Sequence, residues 1–574
     1  MAHIAKLKRS NVISNHVQGT MWRTKYAAFL SKGDGGFPLG IWYDDFQTGN
    51  GMGSAEFEQK LGGVYVRCPA LPPHLLSKLY SIFSIVIFYA NHRENYGHKC
   101  VFCKIIEELK ILHEHGIRVV INGEEKTLFL ALTQLIGDNL ALNCVCGYPP
   151  RFTATNYCRC CTATAEECKS LTREVIPLVR TKESYEETLR KGKMDESPPP
   201  DGIVEECVFN EVPDFHVGDH HWQDVMHDLP EGVCNYTVGN VLQDIIFKQG
   251  KLTLDDLNKR IEDFDYGPHE TNKPRKARLQ KCKDAKNRGK TGKIRLRQSS
   301  SEMLCLTRYL SLMIGDVVDE DTESWQLYLK LRQIGDIVTA PRITVDDAEV
   351  LKDLVSEHNA LYKKLFGHLK PKMHFMTHYP RLLLLNGPLI NSWGMPFERK
   401  NKELKEVAEA VRNNRNRPHT LAINAQLNMC YMKEFSDGID GDYQRGPLLS
   451  DDVDPDISIL FREKRQNDQQ IRELKYVEIL GKEYSKGTYF GADTRGVDDP
   501  YFGEVQGVYD ISGDIYVMAS IVRTLYFDQK RHAYRIPHVI LGRRIFAINE
   551  VPRIDPMLRA RERENGNLAS RYGF

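Results

Sequence analysis

Residues 37–48, "FPLGIWYDDFQT", decide how the chain is read. Aromatic and aliphatic residues mark a strand, the turn-rich "TGNGMGS" at 48–54 closes it, and two carboxylates, Asp44 and Asp45, stand side by side near its end. Neighbours on a strand point to opposite faces, so only one of the two can serve a given site. Two more strands follow, "KLGGVYVRC" (60–68) and "KLYSIFSIVIFY" (78–89), joined through "PALPPH". A helix comes next: Phe102, Ile105, Ile106, Leu109 and Leu112 share one face, and Gly116 supplies the stop. After a turn at Asn122-Gly123, the apolar run "TLFLALTQLI" (127–136) leads into "GDNLALN", which carries Asp138. From Phe37 to about Tyr148 the pattern is an α/β unit: three strands, a helix, then a buried strand ending in an acid.

The totals bound the rest. A chain of 574 residues has room for two to four domains. Lys and Arg number 78 against 77 Asp and Glu, so no global field announces a nucleic-acid partner and any basic surface must be local. Fourteen cysteines, with no apolar export core in the "AHIAKLKRSN" after Met1, point to a reducing compartment. The longest greasy stretch, 79–90, falls short of the ~20 residues of a membrane helix. We expect a soluble intracellular protein with no membrane partner.

Beyond the α/β unit, "KMDESPPPDG" (193–202) reads as a linker and a mostly helical middle follows. Residues 273–297 hold twelve Lys/Arg and one Asp, among them Lys273, Arg275, Lys276, Arg278, Lys281 and Lys283. Such a run is a solvated loop by default. In a DNA-acting protein it is also a phosphate contact, sequence-independent and salt-sensitive, and a nuclear import signal. The helix at 343–367 is capped by Thr344, with an apolar stripe of Val345, Ala348, Leu351, Leu354, Val355, Leu361 and Leu365. Another, at 397–414, buries Phe397, Leu404, Ala408 and Val411. From about Tyr476, period-two alternation with Gly/Asp turns predicts a small all-β barrel or curled sheet.

"ATNYCRCCTA" (154–163) gives Cys158 and Cys161 the spacing of a metal knuckle, half of a tetrahedral zinc site. The other half is expected in "KMHFMTHYP" (372–380), where His374 and His378 stand at i, i+4 and share a helix face. The adjacent His220 and His221 are the nearest alternative ligands, and Cys160 reads as a bystander. Cys100 and Cys103 repeat the spacing but border an apolar helix face, so they read as core, as do Cys144 and Cys146. Asp138 lies 20 residues before Cys158, and Glu398 lies 20 residues after His378. A joint zinc site would bring these acids together, and with Asp44 they form a cluster that makes sense when divalent cations neutralise it. The bland alternatives are a helix cap for Asp138 and a solvated helix carboxylate for Glu398. Asp224, His227 and Asp228 in "DVMHD" form a metal-like trio to which no catalytic role is given.

Taken together, "IWYDDFQTGNGMGS", "GDNLALN", "YCRCC", "DVMHDLPEGV", "KMHFMTHYP" and "GPLINSWGMPFERK" resemble the CACTA (EnSpm) group of DDE transposases of animal genomes, over residues 37 to 435. In layout the set is also similar to the vertebrate antigen-receptor recombinase core. The resemblance implies an RNase H-like α/β core with a large, mostly helical insertion closed by zinc, and a small all-β domain at the C-terminus. It divides the chain into an N-terminal extension (1–36), the first part of the core (37–150), and the knuckle and insertion with its basic loop (151–370, loop 273–297). The returning core with its Glu (371–435), a linker (436–475) and the β-rich domain (476–574) complete it.

Carried onto this sequence, the resemblance implies Asp44, Asp138 and Glu398 as ligands of two Mg²⁺ (or Mn²⁺) ions, with Asp44 aligning better than Asp45. One ion would activate water or a DNA 3′-hydroxyl and the other would stabilise the leaving oxygen. Cys158, Cys161, His374 and His378 would hold a structural Zn²⁺. The implied partners are transposon ends and target DNA, the implied state a homodimer, and the implied location the nucleus. Only residues 1–36 precede the first strand, where such proteins usually carry a module that reads element ends. That departure makes a second reading worth carrying: a domesticated DNA- or chromatin-binding derivative that keeps the fold without the reaction. A metal-dependent nuclease or phosphatase without strand transfer is a third.

Overall fold

The computed structural model describes residues 2–7, 10–48, 60–194, 201–267, 270–280, 293–411, 415–434, 443–451, 453–461, 470–479, 482–493, 500–536, 540–551, 558–560 and 566–569. The chain is mixed α/β and divides into two units: Met1–Val233 with Ile337–Asp437, and Cys234–Asp336 with Gly438–Phe574.

The first unit is built on a five-stranded sheet. Its strands are β1 (Gly35–Gln47), β2 (Lys60–Arg67), β3 (Phe83–Tyr89), β4 (Ile117–Ile121) and β5 (Glu124–Gly137), in the order β3-β2-β1-β5-β4. β1 is the central strand, which explains its nearly unbroken apolar run: Leu39, Ile41, Trp42 and Tyr43 are all buried. It pairs antiparallel with β2, Asp44 facing Gly63, and parallel with β5, Tyr43 facing Gly137. The carboxyl ends of β1 and β5 therefore lie side by side, with Asp44 and Asp138 one residue beyond the last paired position. The Asn122-Gly123 turn, with both φ angles positive (53° and 82°), closes a two-residue hairpin between β4 and β5.

Both faces of the sheet are covered. On one, the helix Ala90–Glu114, broken at Gly97 (φ 78°), lays Phe102, Ile105, Ile106 and Leu109 against Tyr43, Val64 and Leu132. On the other, Phe397 of the helix Met395–Val411 stacks on Trp42, ring centroids 4.6 Å apart and 6° from parallel. The helix Arg417–Glu434 packs along β3. Several details differ from the sequence reading. Residues 79–81 form a 3₁₀ turn ahead of β3 rather than part of it. Val345 and Val411, placed on apolar stripes, are 57% and 40% exposed because each occupies a terminal helical turn. Cys100 and Cys103 are exposed, not core: they lie on the helix flank shared with Lys104 and Glu107.

In the second unit, the longest sheet runs Gly542–Ala547, Asp514–Arg523, Tyr501–Ile511, Ile471–Leu474, Leu448–Ser450, with Tyr489–Asp493 also paired to Tyr501–Ile511. Strand structure thus begins upstream of Tyr476, inside the stretch read as a linker. These strands group with the helices of 234–336: Trp325 Nε1 donates to the Lys530 carbonyl at 3.1 Å, and His532 Nε2 lies 3.0 Å from the Asp336 carboxylate. Among the described residues, no helix is long and apolar enough to cross a membrane.

Candidate metal centres

The knuckle is held by a buried arginine. Arg159, between the two cysteines, donates Nη1 to Asn139 Oδ1 and Asn143 Oδ1 (3.0 and 3.1 Å) and Nε to the Trp222 carbonyl (2.8 Å). Arg180 Nε donates to the Cys158 carbonyl at 3.2 Å. Opposite lies the helix Pro371–Met376 and the turn after it, where the i, i+4 spacing brings both imidazoles to one side. Cys158 Sγ is 3.4 Å from His378 Nε2, and Cys161 Sγ is 3.3 Å from His374 Nε2. The four ligand atoms lie within 4.8 Å of one another, all on buried residues.

Bonds of about 2.3 Å to sulfur and 2.0–2.1 Å to nitrogen in a tetrahedron put S and N about 3.5 Å apart, so this donor set fits a structural zinc. The thiols are tuned for it. Cys161 is held down to about 5, chiefly because the Cys158 thiol donates to it. Burial would raise Cys158, but the neighbouring Cys160 thiol and the His378 imidazole outweigh it and bring Cys158 to about 6. Cys160 stands outside the donor set, and burial pushes its thiol up. His220 and His221 are elsewhere: His220 Nε2 meets the Tyr26 hydroxyl at 2.8 Å, and His221 Nδ1 lies 3.2 Å from Arg381.

No spacing or motif marks the partner that lies behind His378. The Glu174 carboxylate sits 2.6 Å from His378 Nδ1 and accepts from Arg381 Nε at 2.9 and 3.0 Å. A carboxylate there fixes the tautomer that leaves Nε2 free for a metal.

The three acids lie in the same unit but are more loosely grouped: among the described residues, only the Cys/His set has its donor atoms within 4.8 Å of one another. Asp44 is buried, and burial together with the charges of Glu398 and Asp138 raises its carboxyl well above the usual range. Burial likewise raises Glu398, which shares a hydrogen bond with Asp44. Asp44 Oδ1 accepts the Asp45 amide (2.8 Å) and Oδ2 accepts Asn401 Nδ2 (3.2 Å), so the side chain is fixed from strand and helix alike. Asp45 faces the other way: Arg93 Nη1 donates to it at 3.1 Å and Lys60 Nζ lies 3.2 Å away. Asp138 caps the helix Asn139–Val145, accepting the Ala141 amide on Oδ1 at 2.5 Å. The capping role and a place beside the other two acids therefore coexist.

The "DVMHD" turn ties these parts together. Asp224 Oδ1 accepts the Gly394 amide (3.0 Å) at the start of the Glu398 helix. Asp228 Oδ1 accepts Asn139 Nδ2 (2.6 Å), next to Asp138, and Oδ2 accepts the Tyr379 hydroxyl (3.3 Å), next to His378. Lys372 Nζ donates to the His227 carbonyl at 2.6 Å. The acid spacing of four along "DVMHD" was the available signal, since it puts both carboxylates on one side of a helical turn.

The basic stretch is described only in part. Arg275 Nε pairs with Glu302 (2.8 Å), Lys276 with Glu262 (3.1 Å), and Lys273 lies 5.8 Å from the Tyr266 ring centre. Arg278 begins a short strand, Arg278–Gln280, paired with Lys293–Arg295, and Lys281 and Lys283 lie outside the described residues. No protein-family model matches the chain, and no curated protein matches it.

Proposed function

We propose that the chain is a transposon-derived DDE transposase-like protein with an RNase H-like core, acting on DNA in the nucleus as a homodimer. One observation carries the reading: Asp44 and Asp138 stand one residue past the last pairing of two adjacent parallel strands, and a distant helix brings Glu398 into hydrogen-bonding contact with Asp44. Three antiparallel strands followed by a parallel one, in the order β3-β2-β1-β5, agree with the layout implied by the resemblance. The hairpin strand β4 on the outer edge is a local elaboration.

The cluster fits divalent cations on its own chemistry, since a buried carboxylate raised by two neighbouring acids is what a hard cation relieves. Asp44, Asp138 and Glu398 would hold Mg²⁺ or Mn²⁺. Bound there, such ions supply Lewis-acid stabilisation of the attacking and leaving oxygens of a phosphodiester. The chain's own part is placement. The parallel strand pair fixes two acids, and Trp42, Phe397 and Asp224 fix the helix that carries the third. Zinc at Cys158, Cys161, His374 and His378 pins the returning chain beside the departing one.

The test is a Mn²⁺ titration of zinc-loaded protein beside Asp138→Asn and Glu398→Gln, followed by cleavage of supercoiled and linear DNA. We expect binding that both variants lose, then nicking and joined products. Salt-sensitive DNA binding indifferent to Glu398→Gln, with no cleavage in Mg²⁺ or Mn²⁺, would replace this reading with the non-catalytic derivative. Cleavage without joined products would mean a nuclease.

A further inference from the structure

The helix Ala90–Glu114 breaks at Gly97, and the residue after the break, His98, is buried. Its ring is engaged at both nitrogens. Nδ1 lies 2.7 Å from the Glu205 carboxylate, and Nε2 lies 3.6 Å from Cys144 Sγ, a hydrogen-bonding distance for sulfur. The three residues come from three segments. Cys144 stands in the last turn of the helix Asn139–Val145. Just past that helix, the Gly147 carbonyl accepts the amides of Val204 and Glu205 (2.8 and 3.4 Å), which ties Glu205 to the turn behind Cys144. The Tyr185 hydroxyl donates to the Glu205 carbonyl at 3.4 Å. None of the three belongs to the metal centres described above.

The chain of contacts runs from thiol to imidazole to carboxylate, the layout of an activated nucleophile. A carboxylate on Nδ1 keeps the proton there and leaves Nε2 to accept the thiol hydrogen. Cys144, read from the sequence as core, is only half-buried, so it is not sealed from solvent. Its surroundings are charged: Arg93 and Glu94 from the helix turn before Gly97, Asp45 from β1, and Glu205. Arg93 is already paired with Asp45 at 3.1 Å, and Arg93 and Glu205 also face His98. Burial raises the Cys144 thiol and lowers the His98 imidazole, so both are neutral at rest. The proton then moves only when the sulfur attacks.

We propose that Cys144, His98 and Glu205 form a nucleophilic thiol site, with His98 as its base and Glu205 positioning His98. The electrophile it takes is small, polar and soft, of the hydroperoxide class, because a half-buried sulfur with a charged rim favours such reagents over bulky apolar ones. With hydrogen peroxide, the sulfur attacks one oxygen and the O–O bond breaks. The thiol proton passes to His98 Nε2 and on to the departing hydroxide, which leaves as water. Sulfur is oxidised by two electrons to the sulfenic acid, and the peroxide is reduced by the same two.

The test treats zinc-loaded protein with hydrogen peroxide, traps sulfenic acid with dimedone and follows each cysteine by mass spectrometry. A thiol that must ionise before it reacts slows about 80-fold from pH 8 to pH 6, and the exposed Cys430 is the reference. Cys144 should slow no more than about threefold over that range, because neutral His98 takes the proton throughout. His98→Gln should slow Cys144 about 100-fold at pH 6 and give it the steep profile. Glu205→Gln, at a side chain 51% exposed and so harmless to folding, should fall between wild type and His98→Gln. A wild-type Cys144 that stays unlabelled, or follows the steep profile of the reference thiol, overturns the site. A shallow profile that neither variant changes overturns the roles of His98 and Glu205.

Discussion

Glu174 lies 2.6 Å from His378 Nδ1 and is itself gripped by Arg381, so a loop carboxylate only 11% exposed sets the orientation of a buried imidazole. Removing it leaves all four donor atoms in the chain but frees one ring. We expect Glu174→Ala to weaken zinc about 10–100-fold, read by competition with a chelating dye, and Glu174→Gln to lie between. A variant that held zinc as tightly as wild type would make Glu174 a surface ion pair and nothing more.

Gly394 has no room for a side chain. A Cβ there would stand 2.8 Å from both Asp224 Oδ2 and Trp42 Cη2. We expect Gly394→Ala to cost about 2 kcal/mol in urea unfolding and to weaken Mn²⁺ binding, because the helix it displaces carries Glu398. Stability lost with metal affinity intact would separate the helix position from the site.

Asp228 gives a pH signature. Burial pushes its carboxyl up to about 6, against about 3.9 in an unfolded chain. The folded state binds this proton more tightly, so the stabilisation is complete below about pH 4 and is lost as pH rises towards 6, a term of about 3 kcal/mol. Asp228→Asn keeps an oxygen for Asn139 and the shape for Tyr379 while removing the titration. The stability difference, variant minus wild type, should therefore grow by about 3 kcal/mol between pH 4 and pH 7. A difference that stays flat would mean Lys372 and Arg159 compensate the ionised carboxylate fully.

Glu398→Gln should trade affinity for stability. Burial raises its carboxyl despite the hydrogen bond with Asp44 and the nearby His227, so the charged form is a net burden in metal-free protein. Neutralising it should raise Tm by a few degrees, about 1 kcal/mol, while Mn²⁺ binding disappears. Lower stability would mean that the charge is better compensated than burial implies.

Much of this arrangement was legible because it follows simple periodicities. Strand alternation separates Asp44 from Asp45, and the structure gives them different partners, Asn401 for one and Arg93 with Lys60 for the other. The i, i+4 spacing of His374 and His378 paired them with a knuckle 213 residues away. What went unread has no period. Glu174 sits in a loop. β4 is a short edge strand whose Ile117, Val120 and Ile121 are exposed, so its apolar residues carry no burial pattern. Cys100 and Cys103 were misplaced because a helix face about four residues wide has sharp flanks, and both thiols fall just past one. The role of "DVMHD" was hidden for another reason: each acid's partner, Gly394 or Asn139, is identified only by three-dimensional proximity.

The buried Cys/His cluster has an implication for how such a chain can change over time. Cys161 and His374 bring together two points 213 residues apart, at the root of everything between them. Residues 162–233 of that stretch belong to the sheet's own unit and give Tyr185, Phe209 and Phe215 to its core, so they change only with the sheet. The branch proper is Cys234–Asp336, whose length and content can drift without altering the register of β1 and β5 or the seat of Glu398. The constant part should include Asp224 and Asp228, which hold Gly394 and Asn139. Selection on the remainder is then free to follow whatever the branch touches.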